Sequence, residues 1–378
     1  PEWLDELKSR CDIIDIISRY MALKRNGREW VGCCPFHHEK TPSFFVYPES
    51  QSYYCFGCKA SGDVIQFISK YENIGFVEAV ERLANMANMP MPELKDTDAQ
   101  EISRKKQERT QILGALKDAA RYYFKNLYTD NSQAAAARAY LEKRQISRES
   151  IVRFGIGCSL NYDGLLNFLR EKGYSLEILR KAGLASTVDG RTFDPYGRRL
   201  IFPLINKDGD VIGFSARLLD SRDNTAKYKN TTATPVFNKS EVVFGINLLK
   251  KLREQQRAAG SQLDGLENII VVEGQIDVIT MHQFGFTNTV AGLGTALTPM
   301  HARKLKQFSD NIILLLDGDE AGRKATMRGI DVLRSQGLNV RVARLPNGKD
   351  PDEFLHTYGA DALNKLLDEA TEGIKYKI

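Results

Sequence analysis

A chain of 378 residues is long enough for two or three domains, each with its own core. Hydrophobic residues at 42% and charged residues at 27% argue against a disordered or fibrous protein, and no apolar run approaches the ~18 residues that a membrane span needs. A formal net charge of +5, from 53 Lys and Arg against 48 Asp and Glu, is too mild to establish nucleic-acid binding, so the distribution of charge has to decide.

The chain opens at Pro1 with no basic-then-apolar segment, which leaves the cytoplasm as the expected compartment. Over residues 2–20, Leu4, Leu7, Cys11, Ile14 and Ile17 recur at three-to-four spacing and predict one amphipathic helix. From Trp30 to Phe56, aromatic and Val-rich runs broken by Pro35, Pro42 and Pro48 predict short antiparallel strands, and helical patterns close the unit at 62–87. Charged residues without apolar periodicity predict an exposed linker over 91–111.

Residues 112–260 mix helices with a hairpin, Leu200–Asn206 and Val211–Leu218, joined through Lys207-Asp208-Gly209-Asp210. Beyond 261, strands near Ile269–Val272, Asn288–Ala291, Ile312–Leu316 and Val340–Leu345 alternate with helical segments, the pattern of a small parallel sheet. Thr298 before Pro299 is a helix start, and Gly337 a helix end. The expected fold class is therefore multi-domain α/β. An antiparallel sheet with helices spans 1–90, a basic mixed α/β subdomain 112–260, a parallel sheet flanked by helices 261–355, and a helical end 356–378.

Six cysteines, most of them clustered, suit a metal in a reduced compartment better than a disulfide framework. Cys34 with His37 and Cys55 with Cys58 form two pairs, each with two intervening residues, and three thiolates plus one imidazole at this spacing predict a closed, structural, tetrahedral Zn²⁺ site. Cys33 and His38 stand beside the first pair and remain alternatives. Lys24, Arg25, Arg28, Lys40 and Lys59, with Trp30, Phe44, Phe45, Tyr53 and Tyr54, suit single-stranded nucleic acid, unless the aromatics are simply the strand core.

Three acidic groupings follow predicted strands: Glu273 with Asp277, Asp317 with Asp319, and Asp350 with Asp352. Ligands of a parallel sheet bind outside the carboxyl ends of its strands, and carboxylates packed together need cations among them. Mg²⁺ or Mn²⁺ is the matching hard cation, suited to phosphoryl transfer through ions about 4 Å apart. Pro351 should extend Asp350 and align it with Asp352. Ala291-Gly-Leu-Gly-Thr295 offers backbone to a phosphate or template. Upstream, Arg153, Arg198, Arg199, Arg217, Lys227, Lys229 and Lys239 supply cations for a template and a triphosphate. His282, His301 and His356 lie in helical patterns and read as surface or packing residues.

These residues resemble one family, the bacterial DnaG-type primases. Cys34-Pro-Phe-His37-His-Glu-Lys-Thr-Pro-Ser-Phe and Tyr54-Cys-Phe-Gly-Cys58 are similar to its zinc ribbon. Arg153-Phe-Gly-Ile-Gly157, Arg199-Leu-Ile-Phe-Pro203 and Lys227-Tyr228 are similar to its polymerase motifs. Glu273-Gly-Gln-Ile-Asp277, Asp317-Gly-Asp319 and Lys349-Asp-Pro-Asp352 resemble the TOPRIM signature. The resemblance implies a DNA-directed RNA polymerase that makes short RNA primers from ribonucleoside triphosphates on single-stranded DNA. Glu273, Asp317 and Asp319 would be catalytic. The metals would sit among these three with Asp277, Asp350 and Asp352, and Arg153, Arg199, Arg217, Lys227 and Lys239 would contact nucleotide or template. It further implies that the zinc ribbon helps choose the template sequence, and that the enzyme works in the cytoplasm at the nucleoid with a replicative helicase and no membrane. Gln275 and Ile276 depart from the Tyr and Met common between the TOPRIM acids, and Lys229 from an apolar residue. A start without Met and a stop at Ile378 are expected of an excised fragment lacking the helicase-docking region. A TOPRIM nuclease or topoisomerase fragment is the alternative, and a zinc-dependent DNA-binding protein without catalysis leaves the acidic groupings unexplained. No Gly-x-x-x-x-Gly-Lys-[Ser/Thr] loop speaks for a primase-helicase fusion.

Overall fold

The computed structural model describes residues 2–37, 39, 41–72, 74–91, 96–219, 226–261, 265–294 and 296–376. Two compact units divide at Ile102/Ser103, inside the segment expected to be a linker.

In the first unit, helices α1 (Glu2–Arg10) and α2 (Ile13–Ile17) precede strands β1 (Lys24–Asn26), β2 (Glu29–Gly32), β3 (Phe44–Tyr47), β4 (Ser52–Cys55) and β5 (Ser61–Gly62), then α3 (Val64–Glu72) and α4 (Phe76–Met86). The single helix expected over 2–20 is two, because the Asp12 side chain accepts hydrogen bonds from the Ile14 and Asp15 amides and starts a new helix there. The strands form one antiparallel sheet in sequence order. Alternation along β3 and β4 buries Phe44, Val46, Tyr53 and Cys55 against Phe67 and Ile68 of α3, and turns Phe45 and Tyr54 outward. Phe44 stacks on Tyr53 with centroids 5.0 Å apart.

Helix α5 (Asp96–Asn126) covers most of the segment predicted to be a linker. The exposure expected there is present, since Ser103–Gln107 face solvent, but a run of Arg, Lys, Glu and Gln forms a helix readily without an apolar stripe. Next come α6 (Ser132–Lys143), α7 (Arg148–Phe154), β6 (Gly157–Cys158), α8 (Gly164–Glu171), α9 (Leu176–Lys181), β7 (Ser186–Val188), β8 (Arg191–Phe193), β9 (Arg199–Ile205), β10 (Val211–Leu218), β11 (Tyr228–Asn230) and α10 (Ile246–Ala258). The predicted hairpin is β9 with β10, Ala216 opposite Ile201, at the centre of a sheet ordered β11-β10-β9-β6.

The rest alternates β12 (Ile269–Val272), α11 (Gln275–Gln283), β13 (Thr289–Ala291), α12 (Pro299–Lys306), β14 (Asn311–Leu314), α13 (Glu320–Ser335), β15 (Asn339–Val342), α14 (Pro351–Asp368), β16 (Thr371–Glu372) and α15 (Gly373–Tyr376). Strands β13-β12-β14-β15 are parallel, and β16 adds antiparallel to β15. The segment expected as a separate helical end therefore supplies a strand to the sheet. Ile269–Val272 is buried throughout, as a β-branched strand covered on both faces must be. Thr298 caps α12 through the His301 amide, with Pro299 at its first position. Among the described residues no helix is long and apolar enough to cross a membrane.

Candidate functional site

In the first unit, the turn after β2 carries Cys34 and His37, while Cys55 ends β4 and Cys58 lies on the following turn. One ligand atom from each of these four lies within 4.8 Å of all the others. Cys34 Sγ is 3.7 Å from Cys58 Sγ, which fits the edge of about 3.8 Å that a tetrahedron with Zn–S arms near 2.3 Å requires. The Phe36 amide donates to Cys34 Sγ and the Cys58 amide to Cys55 Sγ, both at 3.4 Å. Burial would raise the Cys55 thiol, but hydrogen bonds from the Ser43 hydroxyl and the Cys58 amide outweigh it and hold that thiol below its ordinary value.

His37 turns Nδ1 toward Cys55 Sγ at 3.8 Å and Nε2 toward Glu39 at 3.2 Å. Glu39 also accepts from the amides of Cys34 and Ser43, so one carboxylate orients both ligands of the first pair. The donor set and its spacing fit zinc. Cys33 is exposed and outside the quartet, and His38 and Lys40 lie outside the described residues. Of the aromatics, Phe44 and Tyr53 are core, whereas Phe45, Tyr54 and the exposed Phe56 form an edge-to-face cluster with Lys59 above Tyr54 and Phe56.

In the second unit, the ends of adjacent strands β12, β14 and β15 deliver the acidic groupings to one place. Glu273, Asp277, Asp317 and Asp350 line a cavity of about 250 Å³ together with Arg144, Arg217, Lys227, Tyr228, Asn230, Leu293 and Gly294. The Asp317 amide donates to Glu273 Oε1 at 3.2 Å. Helix α13 approaches so closely that a Cβ on Gly322 would lie 2.1 Å from the Asp317 carbonyl, so no larger residue fits there.

Burial, then the charges of Glu273, Asp350 and Asp319, push the Asp317 carboxyl up to about 7. Burial and the charges of Asp350, Asp317 and Asp352 push Asp277 well above the usual carboxylate range, and burial with Asp319 raises Glu273. These groups resist ionisation without a cation, and hard oxygen donors match Mg²⁺ or Mn²⁺. Among the described residues no three carboxylates bring one oxygen each within 4.8 Å of one another.

The remaining predicted residues stand elsewhere. Asp319 is exposed beside the cavity and caps α13 through the Gly322 amide at 2.7 Å. Asp350 is extended, as Pro351 requires, but caps α14 and leaves Asp352 in the first helical turn. Asp352 is buried, taking hydrogen bonds from Arg144 Nη1 and Thr280 Oγ1, each at 2.6 Å. It therefore does not share the outlook of Asp350, because a helix separates residues two apart by about 200° rather than stacking them. Of the cations, Arg217 and Lys227 reach the cavity wall. Arg199 is buried and donates Nη1–H to the Ala226 carbonyl at 2.9 Å, bracing the approach to Lys227. Arg153 lines a different, small pocket with Phe154 and Phe244, and among the described residues Lys239 lines neither. Lys229 sits on the opposite face of β11 from Tyr228 and Asn230, where burial and Arg199 lower its ammonium. His282 and His301 are buried packing residues, and the first bonds the Thr289 carbonyl.

Residues 1–99 match a family profile described as CHC2 zinc finger, 122–250 one described as DNA primase catalytic core, N-terminal domain, and 270–355 one described as Toprim-like. A solved structure of the Aquifex aeolicus primase, its zinc binding and RNA polymerase domains, is 32% identical, covers 97% of this chain and 85% of its own, and aligns with a TM-score of 0.62. The chain belongs to the DnaG primase family. The RNA polymerase domain of Mycobacterium tuberculosis DnaG is 34% identical with a TM-score of 0.63, over 71% of this chain and 86% of that one. The DNA primase of Clostridium acetobutylicum is 39% identical over 99% of this chain, which spans 60% of that relative's length.

Within this DnaG-family chain, the sequence reading overlooked Arg144, Asn230 and Glu39. Glu39 belongs to the Cys34–Phe44 motif, and its position two residues after His37 was the available signal. Arg144, just past the end of α6, carried none, because its partner Asp352 is 208 residues away.

Proposed function

We propose that this chain is the zinc-binding and catalytic portion of a DNA primase, which synthesises short RNA primers from ribonucleoside triphosphates on single-stranded DNA. The observation that carries the reading is the convergence of carboxylates from three adjacent parallel strands in one cavity walled by Arg217 and Lys227. Cys34, His37, Cys55 and Cys58 hold a structural Zn²⁺. Glu273, Asp277, Asp317 and Asp350 face Mg²⁺ or Mn²⁺, with Asp319 at the margin. Bound there, the divalent ion stabilises charge on attacking and leaving oxygens.

The residues do the rest. Arg217 and Lys227 hold the triphosphate, whose α-phosphate is attacked by the 3′-hydroxyl of the growing primer while pyrophosphate leaves. Buried, high-lying carboxyls keep the cavity ready for cations and take little charge without them. The outward cluster of Phe45, Tyr54 and Phe56, with Lys59, offers stacking and a cation to template bases and phosphates. Such a polymerase acts in the cytoplasm at the nucleoid and meets a replicative helicase. A solved DnaG catalytic domain bound to ssDNA supports the choice of template.

The test incubates the protein with single-stranded DNA, Mg²⁺ and ribonucleotides and looks for short RNA, alongside Asp317→Ala, which should make none while melting at or above the parent temperature. DNA cleavage without RNA would overturn the reading in favour of a nuclease. Elemental analysis should find one zinc per chain.

A further inference from the structure

Arg217 lines the acidic cavity with four carboxylates, yet among the described residues it forms an ion pair with none of them. Among the described residues, Asp317 Oδ1 is itself buried without a hydrogen-bond partner, and so is Arg217 Nε. An arginine beside carboxylates that have no ion-pair partner among the described residues should collapse onto them, since charge-assisted pairing of this kind is strong. Something holds it off. The guanidinium carbon lies 4.6 Å from the ring centroid of Tyr140 on α6 and 5.3 Å from that of Tyr228, and Nη1 donates to the Tyr228 hydroxyl at 2.9 Å. Tyr140 also has Arg144 within 5.9 Å of its centroid, and Arg144 is tied to Asp352. One ring thus neighbours both guanidinium groups on the cavity wall.

We propose that Tyr140 is a positioning residue: its ring holds the Arg217 guanidinium away from the carboxylates, leaving them to the divalent cation and the arginine to the triphosphate. The inference rests on the polymerase reading above and adds to it a residue that touches neither substrate nor metal. Without the ring, Arg217 falls onto Asp317 or Glu273 and competes with the cation for the same oxygens. The defect is then a competition, which more cation overcomes.

The experiment compares the parent with Tyr140→Leu, Tyr140→Phe and the double variant Tyr140→Leu/Arg217→Ala. Mn²⁺ binding without nucleotide is followed by the resonance signal of free Mn²⁺, and primer synthesis is titrated with Mg²⁺ and with ATP. Tyr140→Leu should weaken Mn²⁺ binding and raise both the Mg²⁺ requirement and the KM for ATP by roughly three- to thirtyfold, the range that a cation–π contact is worth. Its rate at saturating Mg²⁺ and ATP should stay within about twofold of the parent. Tyr140→Phe, which keeps the ring, should behave as the parent, and removing Arg217 should restore Mn²⁺ binding to Tyr140→Leu. Parental Mn²⁺ affinity in Tyr140→Leu, or Tyr140→Phe as impaired as Tyr140→Leu, overturns the proposal. If Tyr140→Leu melts early, Tyr140→Met, similar in volume but without a ring, carries the same measurements. Failure of the parent to make RNA would instead sink the polymerase reading, and the Mn²⁺ comparison would still decide the role of the ring.

Discussion

Replacing Gly57 with alanine should damage the zinc site while sparing the metal-free fold. The backbone of Gly57 lies outside the positive-φ region, so alanine meets no backbone strain there, but its Cβ would stand 2.5 Å from His37 Nε2 and 2.7 Å from Cε1. Relief requires the ring to move by about 1 Å, several times the ±0.2 Å that metal–ligand distances tolerate. That shift also gives up the contact to Glu39, 3.2 Å from the same nitrogen, which orients the ring toward the site. Disturbing the groups that orient a ligand costs about ten- to a hundredfold in metal affinity, or about 1.4 to 2.8 kcal/mol of metal-linked stability. For a unit of this size that is a fall of at least ~5 °C in Tm. Zinc transfer to a competing chelator gives the affinity, and melts with and without chelator separate site from fold. With the metal removed, His37 is an ordinary side chain that can swing aside, so the two proteins should melt together. Unchanged zinc affinity in the variant, or equal destabilisation with and without metal, would refute the reasoning.

Four further outcomes are expected. An acid whose folded-state value is raised stabilises the fold below its unfolded value and loses that stabilisation as pH rises through the folded one. With Asp317 near 7, and Asp277 and Glu273 also raised, the metal-free protein should lose stability as pH rises from about 4 to about 7. Mg²⁺ should then raise Tm more at pH 8 than at 5.5, and an equal rise at both would contradict the assignment. Arg144→Ala strands the buried Asp352 with Thr280 as its main partner, and should cost ~2 kcal/mol in denaturant unfolding. That value is below the fully buried range because the Arg144 side chain is 35% exposed, and Asp352→Asn in the same chain should recover part of it. Phe56→Ala removes a ring that is 54% exposed and should weaken single-stranded DNA binding about tenfold by anisotropy without moving Tm. Lys59→Ala should lower the salt slope by about one.

The sequence was most legible where chemistry is local. Two Cys/His pairs with two-residue gaps bring their ligands together because each pair closes on its own turn, and the strand-then-acid pattern after 269 places Glu273, Asp317 and Asp350 at adjacent strand ends because parallel sheets present their loops on one edge. Alternation also decided between stacking and core: Phe44 and Tyr53 fall on the buried phase of β3 and β4, Phe45 and Tyr54 on the open one. What resisted reading was contact over long separation. The same Arg type serves as cavity wall at 217, as buried brace at 199 and as the edge of another pocket at 153, and composition carries no mark of which.

Asp352 shows the limit most sharply. Proline does extend the residue before it, and Asp350 obeys, but the same proline starts α14, so Asp352 takes helical rather than extended geometry. The rule reaches Asp350 and stops there, and Asp352 stands in the first helical turn, bonded to Arg144. The consequence reaches the site itself. Arg144 bonds Asp352 and also reaches the cavity wall, and the charge of Asp352 still helps to raise Asp277. Asp352 thus bears on the cavity through its neighbours, by holding Arg144 and by helping to raise Asp277. On that arrangement, losing Asp352 should alter metal affinity through the wall of the site rather than by deleting a ligand.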